Sequence, residues 1–265
     1  MSDPFVYALD FDGVICDSAN ESSRTALLAA KAKWPHLSLP SQPQHRFPQP
    51  LVEALRTVRP VIETGYENVI LGRLVAEADE NDLQNQFIDP VMDDWPALRD
   101  NLMTEWELDK DELISVFGGV RDGWINDDLL SWLNTNKFFP DVVHGINSAT
   151  SPVYIISTKQ TRFVQLLLNH NHANIPSENI YGLEKGSKIS VLKELIAMPK
   201  NAGKQVMFVE DRYETLEKVS LSMLGQPLQL FLATWGYNTS VVRRVADKHP
   251  FITLLDLPTF VNKFQ

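Results

Sequence analysis

Residues 4–13 are Pro-Phe-Val-Tyr-Ala-Leu-Asp-Phe-Asp-Gly, a short apolar run that ends in two acids and a glycine. The run is too brief for a helix and is bounded by turn-forming residues, so it predicts a buried β-strand. Side chains at positions i and i+2 of an extended chain project to the same side. We therefore expect Asp10 and Asp12 to face one site at the end of this strand.

Two carboxylates in such a site repel each other by about 4 kcal/mol when they lie about 4 Å apart at an effective dielectric constant of about 20. Either a cation neutralises them or one of them keeps its proton. An ionised Asp can act as a nucleophile, an Asp of raised pKa can act as a general acid, and Mg²⁺ binds carboxylate and phosphate oxygens. Gly13 permits a sharp turn that brings backbone N–H groups toward a bound anion. An Asx-type turn with one solvated Asp is the alternative that involves no site.

Four more short apolar runs follow in the C-terminal half, at 153–156, 206–209, 228–232 and 251–255. Helical patterns lie between them, for example at 161–169 and 188–197. This alternation predicts an α/β fold in which helices cover both faces of a parallel sheet. The first strand can be buried on both faces only within such a sheet, so residues 1–16 should rejoin the C-terminal half in space.

The middle of the chain has a different pattern. Apolar residues recur at intervals of three and four from 51 to 133, which predicts an α-helical block. Before it, Ser18 and Glu21 have the spacing of a capping box and predict the start of a helix. Five of the 16 prolines fall within 35–50, which predicts a loop. We therefore predict an α/β core of residues 1–16 and 139–265 with an inserted helical domain of residues 17–138.

Composition excludes several classes of protein. The 265 residues include 24 Lys and Arg against 34 Asp and Glu, a net charge of −10, whereas a nucleic-acid binder needs the opposite balance. No stretch approaches the ~18 uninterrupted apolar residues of a membrane span. The single cysteine, Cys16, can form no internal disulfide and needs no oxidising compartment. These observations predict a cytoplasmic protein that binds neither nucleic acid nor membrane, and they leave its oligomeric state open.

Residues 10–18, Asp-Phe-Asp-Gly-Val-Ile-Cys-Asp-Ser, resemble the first signature of the haloacid dehalogenase (HAD) superfamily, whose members are mostly Mg²⁺-dependent phosphatases. Three further stretches are similar to later signatures and stand in the family's order: Ile-Ile-Ser-Thr-Lys at 155–159, Glu-Lys-Gly-Ser-Lys-Ile at 184–189 and Val-Met-Phe-Val-Glu-Asp at 206–211. Phe-Pro-Asp-Val at 139–142 and Thr-Trp-Gly-Tyr-Asn at 234–238 are similar to the phosphoglycolate phosphatase-like branch. The resemblance implies a Rossmann-like core with a helical cap inserted between the first and second signatures, which agrees with the composition.

The resemblance also implies a role for each matching residue. Asp10 would attack the phosphorus to give an aspartyl-phosphate, and Asp12 would protonate the leaving oxygen and then activate water. Ser157 would hydrogen-bond the phosphoryl group, and the helix that begins near Thr161 would direct its N–H groups to the same place. Mg²⁺ would bind Asp10, Asp12 and Asp211.

Two positions in the signatures leave a choice. The family's lysine is Lys185 or Lys188, either of which could reach Asp10, and we favour Lys188 because it begins a predicted helix, as the family's lysine usually does. The fourth signature departs from the pattern, since Glu210 stands where many relatives have Gly and Thr215 stands where they have a second Asp. Glu210 is therefore the candidate for the further carboxylate at the metal.

The helical domain carries a strongly acidic segment, with thirteen acids and only two basic residues from 77 to 112. Such a field would repel a phosphorylated substrate, so we expect this face to point to solvent. Candidates for substrate binding are Gly13 and Thr158 beside the phosphoryl group and, in the helical domain, Arg59, Glu63, Tyr66 and Arg73.

These observations predict a Mg²⁺-dependent phosphatase that acts on a small phosphorylated metabolite enclosed by the helical cap. A phosphomutase would use the same residues but keep the intermediate from water. A dehalogenase would not need Asp12. A binding or regulatory protein on a decayed scaffold would explain the altered fourth signature, and the sequence does not name the substrate.

Overall fold

The computed structural model describes residues 4–264, which form two compact units. The first, here called the core unit, comprises residues 4–17 and 137–264, and the second, the insert unit, is Ser18–Asn136. Each unit has buried apolar residues of its own. No helix among the described residues is both long enough and apolar enough to cross a bilayer.

Strands and helices alternate in the core unit, whereas the insert unit is helical. The strands are β1 (Phe5–Leu9), β2 (Cys16–Asp17), β3 (Lys137–Phe138), β4 (Val153–Ile156), β5 (Ile180–Tyr181), β6 (Gln205–Glu210), β7 (Leu228–Ala233) and β8 (Ile252–Leu255). The helices of the insert unit are α1 (Ala19–Lys33), α2 (Gln49–Thr57), α3 (Glu67–Glu77), α4 (Asp89–Glu105) and α5 (Lys110–Asn134). Those of the core unit are α6 (Val142–Ser148), α7 (Thr161–His170), α8 (Lys188–Ala197), α9 (Tyr213–Ser222), α10 (Ser240–Ala246) and α11 (Leu257–Asn262).

Six parallel strands form the sheet of the core unit, in the order β5-β4-β1-β6-β7-β8. β1 lies in its interior, because residues 6–9 are buried and need a neighbour on each side. Tyr7 is in register with Val153 of β4 and with Met207 of β6. The predicted α/β class is confirmed, and the first strand does rejoin the C-terminal half. The two-residue edge strand β5 carries no apolar run long enough to predict it.

The carboxyl ends of three neighbouring strands bring the candidate residues of the core unit to one edge of the sheet. Asp10, Ser157 and Asp211 are the first residues after β1, β4 and β6, and these strands lie side by side in the order β4-β1-β6. Open α/β sheets bind their ligands at this edge. The sheet order therefore assembles the site from three segments that are far apart in sequence.

A buried ion pair organises the insert unit. Arg121 donates to both oxygens of the fully buried Glu21 at 2.8 and 2.7 Å, and Thr25 Oγ1 and Trp132 Nε1 donate to Oε1 at 2.7 and 3.1 Å. The predicted capping box is wrong, because Ser18 makes no side-chain cap bond. Glu21 lies in the interior instead, where the bidentate guanidinium of Arg121 satisfies its charge.

The acidic segment of the insert unit lies in contact with water. Of the thirteen acids from 77 to 112, all but Asp82 are exposed. Charged side chains are almost never fully buried without partners, and this segment offers its acids only Arg99 and Lys110. The exposure of these acids therefore follows from the cost of desolvating carboxylates, most of which have no basic partner within the segment.

Candidate active site

Three carboxylates meet where β1 and β6 end. One oxygen from each of Asp10, Glu210 and Asp211 lies within 4.8 Å of the others, and all three residues are buried. Asp10 continues the ladder between the two strands, since its N–H donates to the carbonyl of Val209 at 2.9 Å. The close grouping is thus a consequence of strand pairing rather than of flexible side chains.

This group has the chemistry of a site for a hard divalent cation. Oε1 of Glu210 is buried and has no hydrogen-bond partner among residues 4–264. An orphaned carboxylate oxygen costs free energy in a buried position, and it lies here beside two other carboxylates. Mg²⁺ prefers ligands that are all oxygen atoms, and a dication would also offset the repulsion among the three acids. Asp10, Glu210 and Asp211 therefore fit the predicted metal.

Lys188 is the lysine that the fold brings to these acids. Its Nζ lies 2.9 Å from Oδ1 of Asp10 and 2.9 Å from Oε2 of Glu210, whereas Lys185 is exposed. α8 begins at Lys188, and the side chain of Ser187 accepts the N–H of Ser190 at 3.1 Å as the helix cap. The capped first turn thus fixes the point from which the Lys188 side chain extends.

The charges of the pair formed by Lys188 and Glu210 depend on each other. Burial alone would lower the pKa of the Lys188 ammonium, but the carboxylates of Asp10 and Glu210 raise its pKa above the usual range. The pKa of Glu210 lies well above 4.5, first because the group is completely buried and next because Asp10 is negative. Lys188 lowers the pKa of Glu210 but does not cancel these effects. Lys188 therefore stays charged at physiological pH.

Asp12 has a lysine of its own. Nζ of Lys159 lies 2.9 Å from Oδ1 of Asp12, and the Lys159 side chain is only 2% exposed. The carboxylate of Asp12 does not belong to the group formed by Asp10, Glu210 and Asp211. Lys159 stands within the second signature, but its residue type and spacing there predict no role for it. The one signal that could have singled it out is its position three residues after the end of β4, a strand of the central sheet.

Ser157 and Thr158 follow β4 on the same segment. Oγ of the buried Ser157 accepts the N–H of Lys159 at 3.0 Å, which leaves the hydroxyl proton of Ser157 to be donated. Thr158 is partly exposed. The expectation for the next helix needs a correction, because the N–H and hydroxyl of Thr161 both donate to Oε2 of Glu184, at 3.1 and 3.0 Å. The first N–H of α7 is therefore satisfied by a carboxylate of the chain itself.

Gly13 and the loop after β7 fix the orientation of Asp211. Gly13 has φ +84, and a Cβ on it would lie 2.0 Å from Oδ2 of Asp211. On the other side, a Cβ on Gly236 would lie 2.4 Å from Cβ of Asp211. The N–H of Tyr237 donates to Oδ2 of Asp211 at 2.7 Å, and Nδ2 of Asn238 donates to its carbonyl at 2.9 Å. Both glycines are needed because the two loops approach the aspartate so closely.

Comparisons with known proteins agree on one architecture. No protein-family model matches the chain, and no curated protein is similar to it. Solved structures do match, each over nearly the full length of this chain and of its own. A haloacid dehalogenase-like family hydrolase from Streptococcus pneumoniae is 15% identical, with 100% of this chain and 99% of that one covered and a TM-score of 0.54. A predicted phosphatase from Clostridium acetobutylicum is 14% identical, with 98% of each chain covered and a TM-score of 0.55. A predicted phosphoglycolate phosphatase from Haemophilus somnus is 16% identical, with 100% of each chain covered and a TM-score of 0.57.

The chain has the HAD-like fold. At these identities the likeness concerns the fold alone, and the chemistry of this chain depends on its own residues. The HAD-like fold accounts for the position of Asp10, Ser157 and Asp211 at one sheet edge, and the departure in the fourth signature now has a structural description. Glu210 is fully buried against Lys188, whereas Thr215 lies on α9.

The candidates for substrate binding in the insert unit have interaction partners within that unit. Arg59 donates to a main-chain carbonyl of its own turn at 3.1 Å, and Tyr66 is buried. The guanidinium of Arg73 lies 4.9 Å from the ring centroid of Trp34 and 3.9 Å from that of Trp106. Arg73 thus contributes to the packing of the HAD-like fold's insertion, and the roles of Arg59 and Tyr66 stay predictions.

Proposed function

We propose that this protein is a Mg²⁺-dependent phosphatase that hydrolyses a small phosphomonoester through an aspartyl-phosphate intermediate. The observation that carries the proposal is the contact of Lys188 with both Asp10 and Glu210 at 2.9 Å, in a buried group that also includes Asp211. A nucleophilic carboxylate, a fixed cation and a set of oxygen donors are the parts that phosphoryl transfer requires.

In the first step, a carboxylate oxygen of Asp10 attacks the phosphorus while the bond from phosphorus to the leaving oxygen breaks. Asp12 gives a proton to that leaving oxygen. In the second step, Asp12 takes a proton from water, the water oxygen attacks the phosphorus, and Asp10 and inorganic phosphate are released. Mg²⁺ held by Asp10, Glu210 and Asp211 would offset the negative charge of the phosphoryl oxygens.

Two further residues assist through hydrogen bonds and charge. Ser157 donates its hydroxyl proton to a phosphoryl oxygen, since its lone pair already accepts the Lys159 N–H. The positive charge of Lys188 offsets the negative charge of Asp10 and of the phosphoryl oxygens while Asp10 attacks. We also propose that Gly13 and the partly exposed Thr158 contact the phosphoryl group, and that Asp12 is a further ligand of the metal.

The names of similar structures support the substrate class that we propose, and the cysteine supports the proposed location. Their printed names include a predicted phosphatase and a predicted phosphoglycolate phosphatase, so we propose a small phosphorylated metabolite, with Arg59 and Tyr66 as its contacts in the insert unit. Cys16 is a buried free thiol, which is consistent with the cytoplasmic location that we propose.

The test is phosphate release from a panel of sugar phosphates, nucleotides, phosphoglycolate and an aryl phosphate, with and without Mg²⁺. We expect turnover of at least one substrate that requires Mg²⁺ and is abolished by a chelator. Asp10→Asn should lower kcat by roughly 10⁴-fold or more, as removal of a nucleophile does. Asp247→Asn makes the same chemical change at an exposed position of the core unit and should leave kcat unaltered.

Two outcomes would contradict the proposal. One is that the wild type releases phosphate from no substrate in the presence of Mg²⁺. The other is that Asp10→Asn is as active as the wild type. Formation of an isomeric phosphate without release would instead identify a phosphomutase.

A further inference from the structure

We propose that Lys159 is a positioning residue that holds the carboxylate of Asp12 in the direction required for proton transfer. The inference rests on the proposed function, because it assigns Asp12 the acid and base steps. Its basis is the 2.9 Å contact between Nζ of Lys159 and Oδ1 of Asp12, in which the lysine side chain is 2% exposed and the aspartate side chain 14% exposed.

The main chain of Lys159 is held on both sides, so its side chain starts from a defined point. Its N–H donates to Oγ of Ser157 at 3.0 Å, and its carbonyl accepts the N–H of Leu183 at 3.0 Å. A Cβ on Gly182 would lie 2.7 Å from that same carbonyl oxygen. Segment 157–159 is therefore clamped between its own turn and the chain that follows β5.

The burial of Lys159 implies that its ammonium needs the carboxylate of Asp12 as a partner. Lysine is almost never buried unless it is paired, because its ammonium loses its hydration. The Nζ of Lys159 also lies 6.0 Å from the ring centroid of Phe11, so one side of the ammonium faces an aromatic ring. The ring and the fixed main chain define the position of Nζ, and Nζ in turn limits rotation of the Asp12 carboxylate.

Two lysines contact different acids of the site. Lys188 contacts Asp10 and Glu210, and Lys159 contacts Asp12. The acid that forms the covalent bond and the acid that moves protons thus have separate cationic partners. Loss of Lys159 should therefore act through Asp12, in both of the proton transfers that the proposed mechanism assigns to this acid.

The experiment is a double-mutant cycle on kcat and KM with Lys159→Gln and Asp12→Asn in the full-length protein with Mg²⁺. General acid and base catalysis accelerates a reaction by about 10²- to 10⁴-fold, and displacement of a group by about 1 Å can lower the rate by about 10²-fold. We expect Lys159→Gln to lower kcat by roughly 10- to 100-fold with KM changed less than about 3-fold. In the Asp12→Asn background the same substitution should have almost no further effect on kcat.

Lys159→Arg should recover part of kcat, because its guanidinium keeps a charged donor beside Oδ1 of Asp12 although its planar, larger head group does not reproduce the lysine geometry. Lys193→Gln is the matched control, since Lys193 is exposed on α8, and it should behave as the wild type. Circular dichroism and urea unfolding test whether each variant is folded. If Lys159→Gln does not fold, Lys159→Met takes its place in the cycle, since it has a side chain of similar length without the charge.

Each contrary result has a distinct meaning. An effect of Lys159→Gln on kcat of equal size with and without Asp12, or a large rise in KM, would overturn the positioning role and indicate contact with substrate. An arginine variant that folds but is as slow as the glutamine variant would also overturn it. A wild type that hydrolyses no phosphomonoester would remove the proposed function, and the role of Lys159 with it.

Discussion

Gly236 lies so close to Asp211 that a single methyl group at this position should disturb the metal site. A Cβ on it would lie 2.4 Å from Cβ of Asp211 and 2.5 Å from the carbonyl oxygen of Gly13. Neither neighbour is the end of a flexible side chain, so the loop after β7 or Asp211 itself must move. We expect Gly236→Ala to weaken Mg²⁺ binding at least about tenfold, as a shift worth about 1.4 kcal/mol would. Isothermal titration with Mg²⁺ measures it.

Gly119 provides the control for this substitution. It lies on α5, and a Cβ on it would meet nothing within 4 Å. Gly119→Ala should bind Mg²⁺ with the affinity of the wild type. Unchanged affinity in Gly236→Ala would show that Asp211 is not held by the loop as described.

Single residues differ in how far the sequence could assign them. The acidic pair at the end of an apolar run selected Asp10, whereas Asp211 and the preference for Lys188 over Lys185 came from the resemblance to the HAD signatures. Nothing in the sequence around Lys159 reports that its side chain is buried on Asp12, because burial depends on chain segments that fold over it. The same holds for Glu184, which reaches the first N–H of α7 from 23 positions away along the chain.

At the level of elements, α1 and α3 approach so closely that a small residue is required between them. A Cβ on Gly72 of α3 would lie 2.3 Å from the carbonyl oxygen of Ala26 and 3.0 Å from Cβ of Ala30. We expect Gly72→Ala to destabilise the protein by about 1–3 kcal/mol through overpacking. In contrast, Gly119→Ala should stabilise it by about 0.5–1 kcal/mol, because alanine is the better helix former where space is open.

Urea unfolding of the two variants beside the wild type measures both changes. The signs must be opposite. If Gly72→Ala were as stable as Gly119→Ala, the helices would not be in contact at this glycine.

Elements with strong periodicity were predictable, and elements that depend on distant partners were not. The pattern at 188–197 matches α8 in full, and the four apolar runs of the C-terminal half all correspond to strands of the sheet. β5 could not be foreseen, because two residues form a strand only when β4 is present beside them. The supposed capping box failed because Arg121, a hundred positions away, competes for Glu21.

For the whole molecule, the division into two units predicts where Mg²⁺ should act. The three acids that fit the metal all belong to the core unit. At a concentration 100 times its Kd, a ligand that binds only the native state stabilises it by about 2.7 kcal/mol. We expect Mg²⁺ to slow amide hydrogen exchange in β1 and β6 by about 100-fold, with a much smaller effect on the insert unit.

Hydrogen exchange is the right probe because the tryptophans are distributed unevenly. Five of the six lie in the insert unit, namely Trp34, Trp95, Trp106, Trp124 and Trp132, and only Trp235 lies in the core unit. Fluorescence would therefore report the wrong unit. Asp211→Asn should lose the protection by Mg²⁺, and equal protection of both units would contradict a metal site confined to the core unit.

The two-stranded pair formed by β2 and β3 has a consequence for protein engineering. Asp17 lies opposite Lys137 and Cys16 opposite Phe138 in antiparallel register, so the chain leaves and re-enters the core unit at adjacent points. In topological terms the pair is a β-hairpin in which the insert unit takes the place of the turn. A two-residue Asn-Gly turn of type I′ could close the same hairpin. The sheet edge with its acids and lysines could thus be obtained as a minimal protein with the whole intervening segment excised.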